Sequence, residues 1–161
     1  MRAMLWAESP EGIIGSGGTI PWRYPGDLKR FKRLTLGSTV VMGRATFESM
    51  RSRPLSGRRN VIVTSRALDV SGIEVVRSLD EALERAGDAD VWFIGGARIY
   101  AEAMKYVDLI DVVHVPDRIS TADAVYAPAI DEHAFEPSPL VPHEDEPTLT
   151  RRVYRRRASR A

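Results

Sequence analysis

Asp90-Val91-Trp92-Phe93-Ile94-Gly95-Gly96-Ala97-Arg98-Ile99-Tyr100 is the stretch that decides the fold. Residues 91–94 are wholly apolar and read as a buried strand. Two adjacent glycines then let another molecule approach the backbone, and a helix is expected from there to residue 104. A strand that passes through glycine into a helix exposes backbone N–H groups and the positive end of the helix dipole, a seat suited to a pyrophosphate. The stretch is not the Gly-x-Gly-x-x-Gly fingerprint, and it does not lie in the first strand-to-helix turn. Both points disfavour a Rossmann dehydrogenase.

Working outward, the same grammar recurs. Residues 38–42 form a β-branched run that ends in Gly43-Arg44-Ala45-Thr46 and leads into a short helix over 47–50. The strand over 61–63 ends in Thr64-Ser65-Arg66. The strand over 73–76 ends at Arg77, where Ser78 and Glu81 form a capping box for a helix to residue 86. In a parallel sheet the strand C-termini share one edge, and ligands bind there. Arg44, Ser65, Arg66 and Arg77 at that edge suggest a phosphorylated cofactor, although unrelated surface residues would give the same pattern. Residues 109–115 read as a further strand and 116–128 as an irregular connection. From 131 the chain reads as an edge strand, an exposed hairpin and a final strand over 148–156. The arginines around Val153 and Tyr154 alternate as the solvated face of that strand, which explains them better than a nucleic-acid arm does.

Upstream, residues 3–7 read as the first strand. Residues 9–18, rich in Gly, Ser and Pro, read as a mobile loop that acts as a lid. After Pro25 and Gly26, Leu28, Phe31 and Leu34 mark the apolar face of a short helix that Gly37 closes, and Lys29, Arg30, Lys32 and Arg33 fill its other faces. Asp27 lies one turn before Phe31 and so shares the inward side. It is either a first-turn residue opposing the helix dipole or a cleft carboxylate, held toward its protonated form by apolar neighbours, that acts on a nitrogenous ligand. Trp22 could wall the same cleft. His114, His133 and His143 show no metal-ligand spacing and no recognisable partnership with a carboxylate.

The 161 residues suit one domain with a real core, and a formal charge of +1 points to no polyelectrolyte partner. The absence of cysteine excludes thiol catalysis and disulfides. With no run of 18 apolar residues and no signal-peptide layout, a cytoplasmic location is expected.

With these segments in place the chain resembles dihydrofolate reductase of the bacterial chromosomal type over nearly its whole length. The resemblance is carried by Ile14-Gly15; by Ile20-Pro21-Trp22 with Pro25, Asp27-Leu28 and Phe31; by Val41-Met42-Gly43-Arg44 with Thr46 and Glu48-Ser49; by Pro54-Leu55 with Gly57-Arg58 and Asn60; and by Ile94-Gly95-Gly96 with Tyr100. It implies an α/β, single-domain fold over 1–161, a mainly parallel eight-stranded sheet with four flanking helices and an antiparallel C-terminal strand. The lid would span about 9–24.

The resemblance also implies NADPH-dependent reduction of dihydrofolate to tetrahydrofolate in one-carbon metabolism, without a metal, by a monomer that antifolates target. Asp27 would be the only ionisable side chain in the pterin pocket, promoting protonation of N5, with Trp22 ordering the water. Leu5, Trp6, Ala7, Leu28, Phe31, Met50, Leu55, Ile94, Tyr100 and Val113 would line the substrate site, and Arg58 would pair with the α-carboxylate of the glutamate tail. On the cofactor side, Ile20 would close over the nicotinamide, Thr46 and a cis Gly95-Gly96 turn would meet the pyrophosphate, and Arg44, Ser65 and Arg77, assisted by Arg66, would hold the 2′-phosphate. Ala7, Ile14, Gly15, Gly43, Ala45, Thr64, Ala97, Arg98, Ile99 and Tyr100 would complete the cofactor site.

Two departures from the family pattern stand out. Val113 replaces a threonine whose hydroxyl bonds the catalytic carboxylate, which would leave Asp27 with an unpaired acceptor; Val113→Thr is then expected to tighten antifolate binding. Ala122-Asp123-Ala124 replaces Gly-Asp-Thr in the loop that supports the lid. The alternatives are a pyrimidine reductase of riboflavin biosynthesis, which Trp22, Asp27 and Arg58 fit less well, and a catalytically inactive nucleotide-binding homologue.

Overall fold

The computed structural model describes residues 1–159. The chain runs β1 (Arg2–Glu8), β2 (Ile13–Ser16), α1 (Pro25–Thr35), β3 (Thr39–Gly43), α2 (Arg44–Ser49), β4 (Arg59–Val63) and β5 (Ile73–Val76). It continues α3 (Leu79–Ala86), β6 (Val91–Phe93), α4 (Ala97–Ala103), β7 (Leu109–His114), β8 (Ala124–Tyr126), β9 (Phe135–Pro137), β10 (Val141–Pro142) and β11 (Thr150–Arg156).

The main sheet has the order β10-β11-β7-β1-β6-β3-β4-β5, with β9 paired to β11. β5, β4, β3, β6, β1 and β7 run parallel, and β11 returns antiparallel against β7. This is the α/β architecture expected from the sequence: a mainly parallel sheet, four helices and an antiparallel C-terminal strand. Alternation along β1 shows how the sheet is covered. Met4 and Trp6 belong to a core layer with Leu79, Ala82 and Leu83 of α3 and Ile99 and Ala103 of α4. Ala3 and Leu5 belong to the other layer, with Phe47 of α2 and Phe31 and Leu34 of α1. Side chains two apart share a face, so the two helix pairs lie on opposite faces.

Four local expectations are corrected. Residues 9–18 are not simply a loop and residues 116–128 are not wholly irregular: β2 pairs antiparallel with β8, which lies within the second stretch, and Ile13 is buried. Ser9 satisfies both backbone groups of the buried Ile13, whose N–H donates to Ser9 Oγ at 3.1 Å and whose carbonyl accepts from Ser9 N at 2.9 Å. Arg30 does not lie on a solvated face of α1. It is buried, and its Nη1 and Nη2 donate to the Asp111 carboxylate of β7 at 2.9 and 2.6 Å. At the start of α3 the Ser78 hydroxyl accepts from Glu81 N at 3.1 Å as expected, but the Glu81 carboxylate takes its return bond from Arg77 N at 2.9 Å rather than from Ser78.

α1 itself begins without a side-chain cap at Tyr24 and with Pro25 in its first turn. Its free Gly26 N–H donates instead to Glu146 Oε1 at 2.7 Å, from the turn between β10 and β11. That turn packs so closely that a Cβ on Gly26 would stand 2.2 Å from the Asp145 carbonyl oxygen.

Candidate active site

The chain leaves β1 in mid-sheet, builds β3, β4 and β5 outward on one side, then returns to lay β6 beside β1 and β7 beyond it. The crevice therefore opens where the connections part, at the C-terminal ends of β1 and β6. A cavity of about 450 Å³ lies there. Trp6 and Ala7 of β1 and Ile94 after β6 form its floor. Ile14, Gly15 and Ile20 form one wall, and Ala45, Thr46 and Met50 of the α2 region another. Gly95, Gly96, Ala97 and Tyr100 close the end. Ile20 is 63% exposed at the mouth, where the sequence places the lid.

The glycine turn is as close-fitting as its sequence suggests. The Gly95-Gly96 peptide is cis, and Gly95 has φ of 121°, in the region that favours glycine. A Cβ on Gly95 would meet Tyr100 Oη at 3.3 Å and Thr46 Oγ1 at 3.4 Å. Gly43 N donates to the Gly95 carbonyl at 2.8 Å, tying the end of β3 to this turn. The N-cap residues of α2 and α4 are Gly43 and Gly96, and neither helix has a side-chain cap hydrogen bond. Tyr100 donates its hydroxyl to the Leu5 carbonyl at 2.7 Å and tilts against Trp6, centroids 5.0 Å apart. Burial pushes its phenol well up, so the hydroxyl stays a donor.

Asp27 stands at the start of α1 with a quarter of its side chain exposed. It does not line the 450 Å³ cavity, and neither do Leu5, Leu28, Phe31, Leu55, Arg58 or Val113. Leu5, Phe31 and Leu55 pack into the core layer beneath α1 and α2 together with Met50 and Ile94, which do line the cavity. Leu28, in the first turn of α1, is 53% exposed rather than set in an apolar slot. Trp22 and Tyr24 pack on Val113, Val115 and Leu149, a cluster that also includes Ala7. The Tyr24 hydroxyl donates to Asp117, and that bond pushes its phenol up to about 12.

Two expectations about Asp27 are overturned. Its carboxylate is not left unpaired by Val113, and it is not the only ionisable group in its pocket: His143 Nε2 lies 3.0 Å from Asp27 Oδ1. The expectation that no histidine partners a carboxylate fails with them. These residues are 116 positions apart, and no local spacing signals such a pair.

At the outer edge, Arg44 bridges Glu48 one turn along α2 at 2.6 Å. Thr64, Ser65, Arg66 and Arg77 follow the ends of β4 and β5, neighbours of β3 in the sheet, and so lie along one edge with Arg44. Arg98 points outward and bridges Glu102 at 3.1 Å, while Ile99 is buried under Gly43. Arg58 is half-buried, its Nη1 donating to Thr35 Oγ1 at 3.1 Å, and burial draws its guanidinium below the usual value.

A doubly covered parallel sheet with a glycine-turn crevice and a row of hydroxyl and guanidinium groups after its strands is the architecture of a nucleotide-binding α/β protein. The comparisons make this specific. The dihydrofolate reductase family model matches residues 1–156. The dihydrofolate reductase of Mycobacterium tuberculosis H37Rv is 43% identical over 137 residues, 82% of this chain and 83% of that protein. That of Mycobacterium leprae is 42% identical over 135 residues, 80% and 81% of the two chains. Among solved structures, a dihydrofolate reductase from Enterococcus faecalis complexed with NADP(H) and RAB-propyl superposes with a TM-score of 0.87 at 31% identity, covering 98% of this chain and 97% of that one. The chain belongs to the dihydrofolate reductase family, NADPH-dependent oxidoreductases of one-carbon metabolism and targets of antifolates.

Proposed function

We propose that the protein reduces 7,8-dihydrofolate to 5,6,7,8-tetrahydrofolate, with residues 1–161 as one catalytic domain and about 9–24 as its lid. What supports the reading is the crevice itself, open between the glycine turn and Ile14, Gly15 and Ile20, in a chain whose Asp27 stands in the first turn of α1 outside that lining. The residues present fit NADPH. The bare backbone at Gly95 and Gly96, the Thr46 hydroxyl and the uncapped first turns of α2 and α4 suit a pyrophosphate. When bound, the reduced nicotinamide supplies the hydride that C6 of dihydrofolate accepts.

The chain's own residues do the rest. Asp27 takes the amino group and N3 of the pterin and favours protonation of N5 by water. Trp22 orders that water. Ile20 and the residues before it close the mouth, which excludes bulk solvent and holds the two reacting carbons together. Arg58, held by Thr35, faces the glutamate tail. We further take the active species to be a monomer that works in the cytoplasm; no helix among the described residues is long and apolar enough to cross a membrane.

The test is loss of NADPH absorbance on mixing with dihydrofolate, for the wild type and Asp27→Asn. Turnover that falls at least a hundredfold near neutral pH in the mutant, and recovers partly in acid where dihydrofolate arrives protonated, is the expected result. NADPH binding without turnover would leave a nucleotide-binding homologue and reject the reductase.

A further inference from the structure

His143 follows β10 and its side chain is fully buried, with Nε2 3.0 Å from Asp27 Oδ1. The other ring nitrogen fixes what this contact is. Nδ1 accepts from two backbone groups, Asp145 N at 3.0 Å and Glu146 N at 3.1 Å. Two N–H groups converge on one ring nitrogen only when it bears a lone pair, so the proton of the neutral ring sits on Nε2. An imidazolium would set a third N–H against those two. The contact is therefore a hydrogen bond donated by neutral His143 to the Asp27 carboxylate, not an ion pair.

The turn that carries His143 is clamped onto α1 at several points. Glu146 caps Gly26, Asp145 bridges Arg33 at 2.8 Å, and Glu144 bridges Arg30 at 3.0 Å. The clamp closes because residue 26 has no side chain, since a Cβ there would clash with the Asp145 carbonyl. β7 meanwhile offers Val113, which has no hydroxyl to donate and packs instead with Leu149 and Trp22.

We propose that His143 is the positioning residue for Asp27. Its Nε2–H donates the hydrogen bond that Val113 cannot and holds Oδ1 in place, while Oδ2, which accepts no hydrogen bond among the described residues, is kept for the ligand. The proposal rests on the reading of Asp27 given above. The charged and titratable groups around the pair are Tyr24, Arg30 and Arg33 on the α1 side, Asp111 of β7, Glu144, Asp145 and Glu146 of the turn, and Arg151 of β11.

The experiment follows hydride transfer against pH in the wild type, His143→Leu, His143→Gln and Gly26→Ala, and in Val113→Thr alone and combined with His143→Leu. His143→Leu is expected to lower kcat/KM for dihydrofolate by about tenfold or more, the size of a lost hydrogen bond to a charge, with KM for NADPH unchanged. Its pH–rate profile moves to higher pH, because the carboxylate loses a donor that favours its ionised form. His143→Gln, with an amide donor, recovers most of the loss. Val113→Thr gains more in the His143→Leu background than in the wild type, a coupling expected only if both positions serve one oxygen. Gly26→Ala pushes the turn away and reproduces the His143→Leu profile with both partners still present, which keeps the test intact if His143→Leu does not fold.

A profile in His143→Leu or Gly26→Ala that overlies the wild type overturns the proposal. So does a loss that moves no pH profile and that neither Gln nor Thr repairs, since that is packing alone. A wild type inert toward dihydrofolate would reject the functional reading instead. The pairing is then read from the ¹⁵N shifts of the His143 ring, where an Nε2–H tautomer that changes in Asp27→Asn supports it and an Nδ1–H tautomer or an imidazolium overturns it.

Discussion

Arg30 is 4% exposed, and a guanidinium so placed needs a matched carboxylate. Asp111 provides a two-pronged one. Burial works against the Arg30 charge, and the hydrogen bonds and charge of Asp111 more than restore it, so its affinity for the proton ends above the ordinary value. Removing Asp111 leaves the buried guanidinium only Glu144, at 3.0 Å and itself 42% exposed. Asp111→Ala is expected to cost about 3–5 kcal/mol in urea unfolding at neutral pH, whereas the double change Arg30→Met with Asp111→Leu costs far less. Equal losses in the two variants would show that the pair is not the source of the effect. Asp27 was legible because a carboxylate on the apolar side of a helical wheel is visible within one turn. Arg30 looked like another member of a basic face, because its partner lies 81 positions away. Val113 was legible as a missing hydroxyl, but its replacement by His143 depends on a tertiary contact that spacing does not encode.

Among the elements, the turn between β10 and β11 ties α1 to the end of the sheet. Glu144 is its electrostatic centre, joined to Arg30 and Arg151. Burial pushes its carboxyl up, but its own backbone N–H, Arg151 and Arg30 outweigh that and bring it from 4.5 to about 2. A carboxylate lowered in the folded state adds stability that is fully present above its unfolded value and fades as pH falls through the folded one. Urea midpoints should therefore carry a Glu144 component that declines between about pH 4.5 and 2 and is absent in Glu144→Gln. The side chain is 42% exposed, so salt should weaken the component. A wild type and Glu144→Gln with parallel pH curves would assign acid loss to other carboxylates. Most elements were legible, since strands and helices here announce themselves by period and by glycine. β2 and β8 were not: Ile-Ile-Gly-Ser and Ala-Val-Tyr have no period of their own, and only their pairing makes them strands.

At the scale of the whole molecule, strand order does what no single segment does. β3, β4 and β5 are neighbours in the sheet, so the residues that follow them, Arg44, Ser65 and Arg77, form one row leading away from the glycine turn. That row was legible as soon as a parallel sheet was inferred, because parallel strands put their C-termini on one edge. Its members are not equivalent. Arg44 is already bridged to Glu48, and a phosphate there must displace a carboxylate; the Arg77 side chain is exposed and makes no ion pair among the described residues. Arg77→Ala is therefore expected to weaken NADPH binding by about ten- to a hundredfold, the range of a hydrogen bond to a charge, and to leave NADH binding unchanged. Arg44→Ala should cost less, because the wild-type Arg44 meets the phosphate only by giving up part of its bridge to Glu48, which offsets its gain. Fluorescence titration of both cofactors against both variants checks this, and a loss shared equally by NADPH and NADH would place the 2′-phosphate elsewhere on the sheet edge.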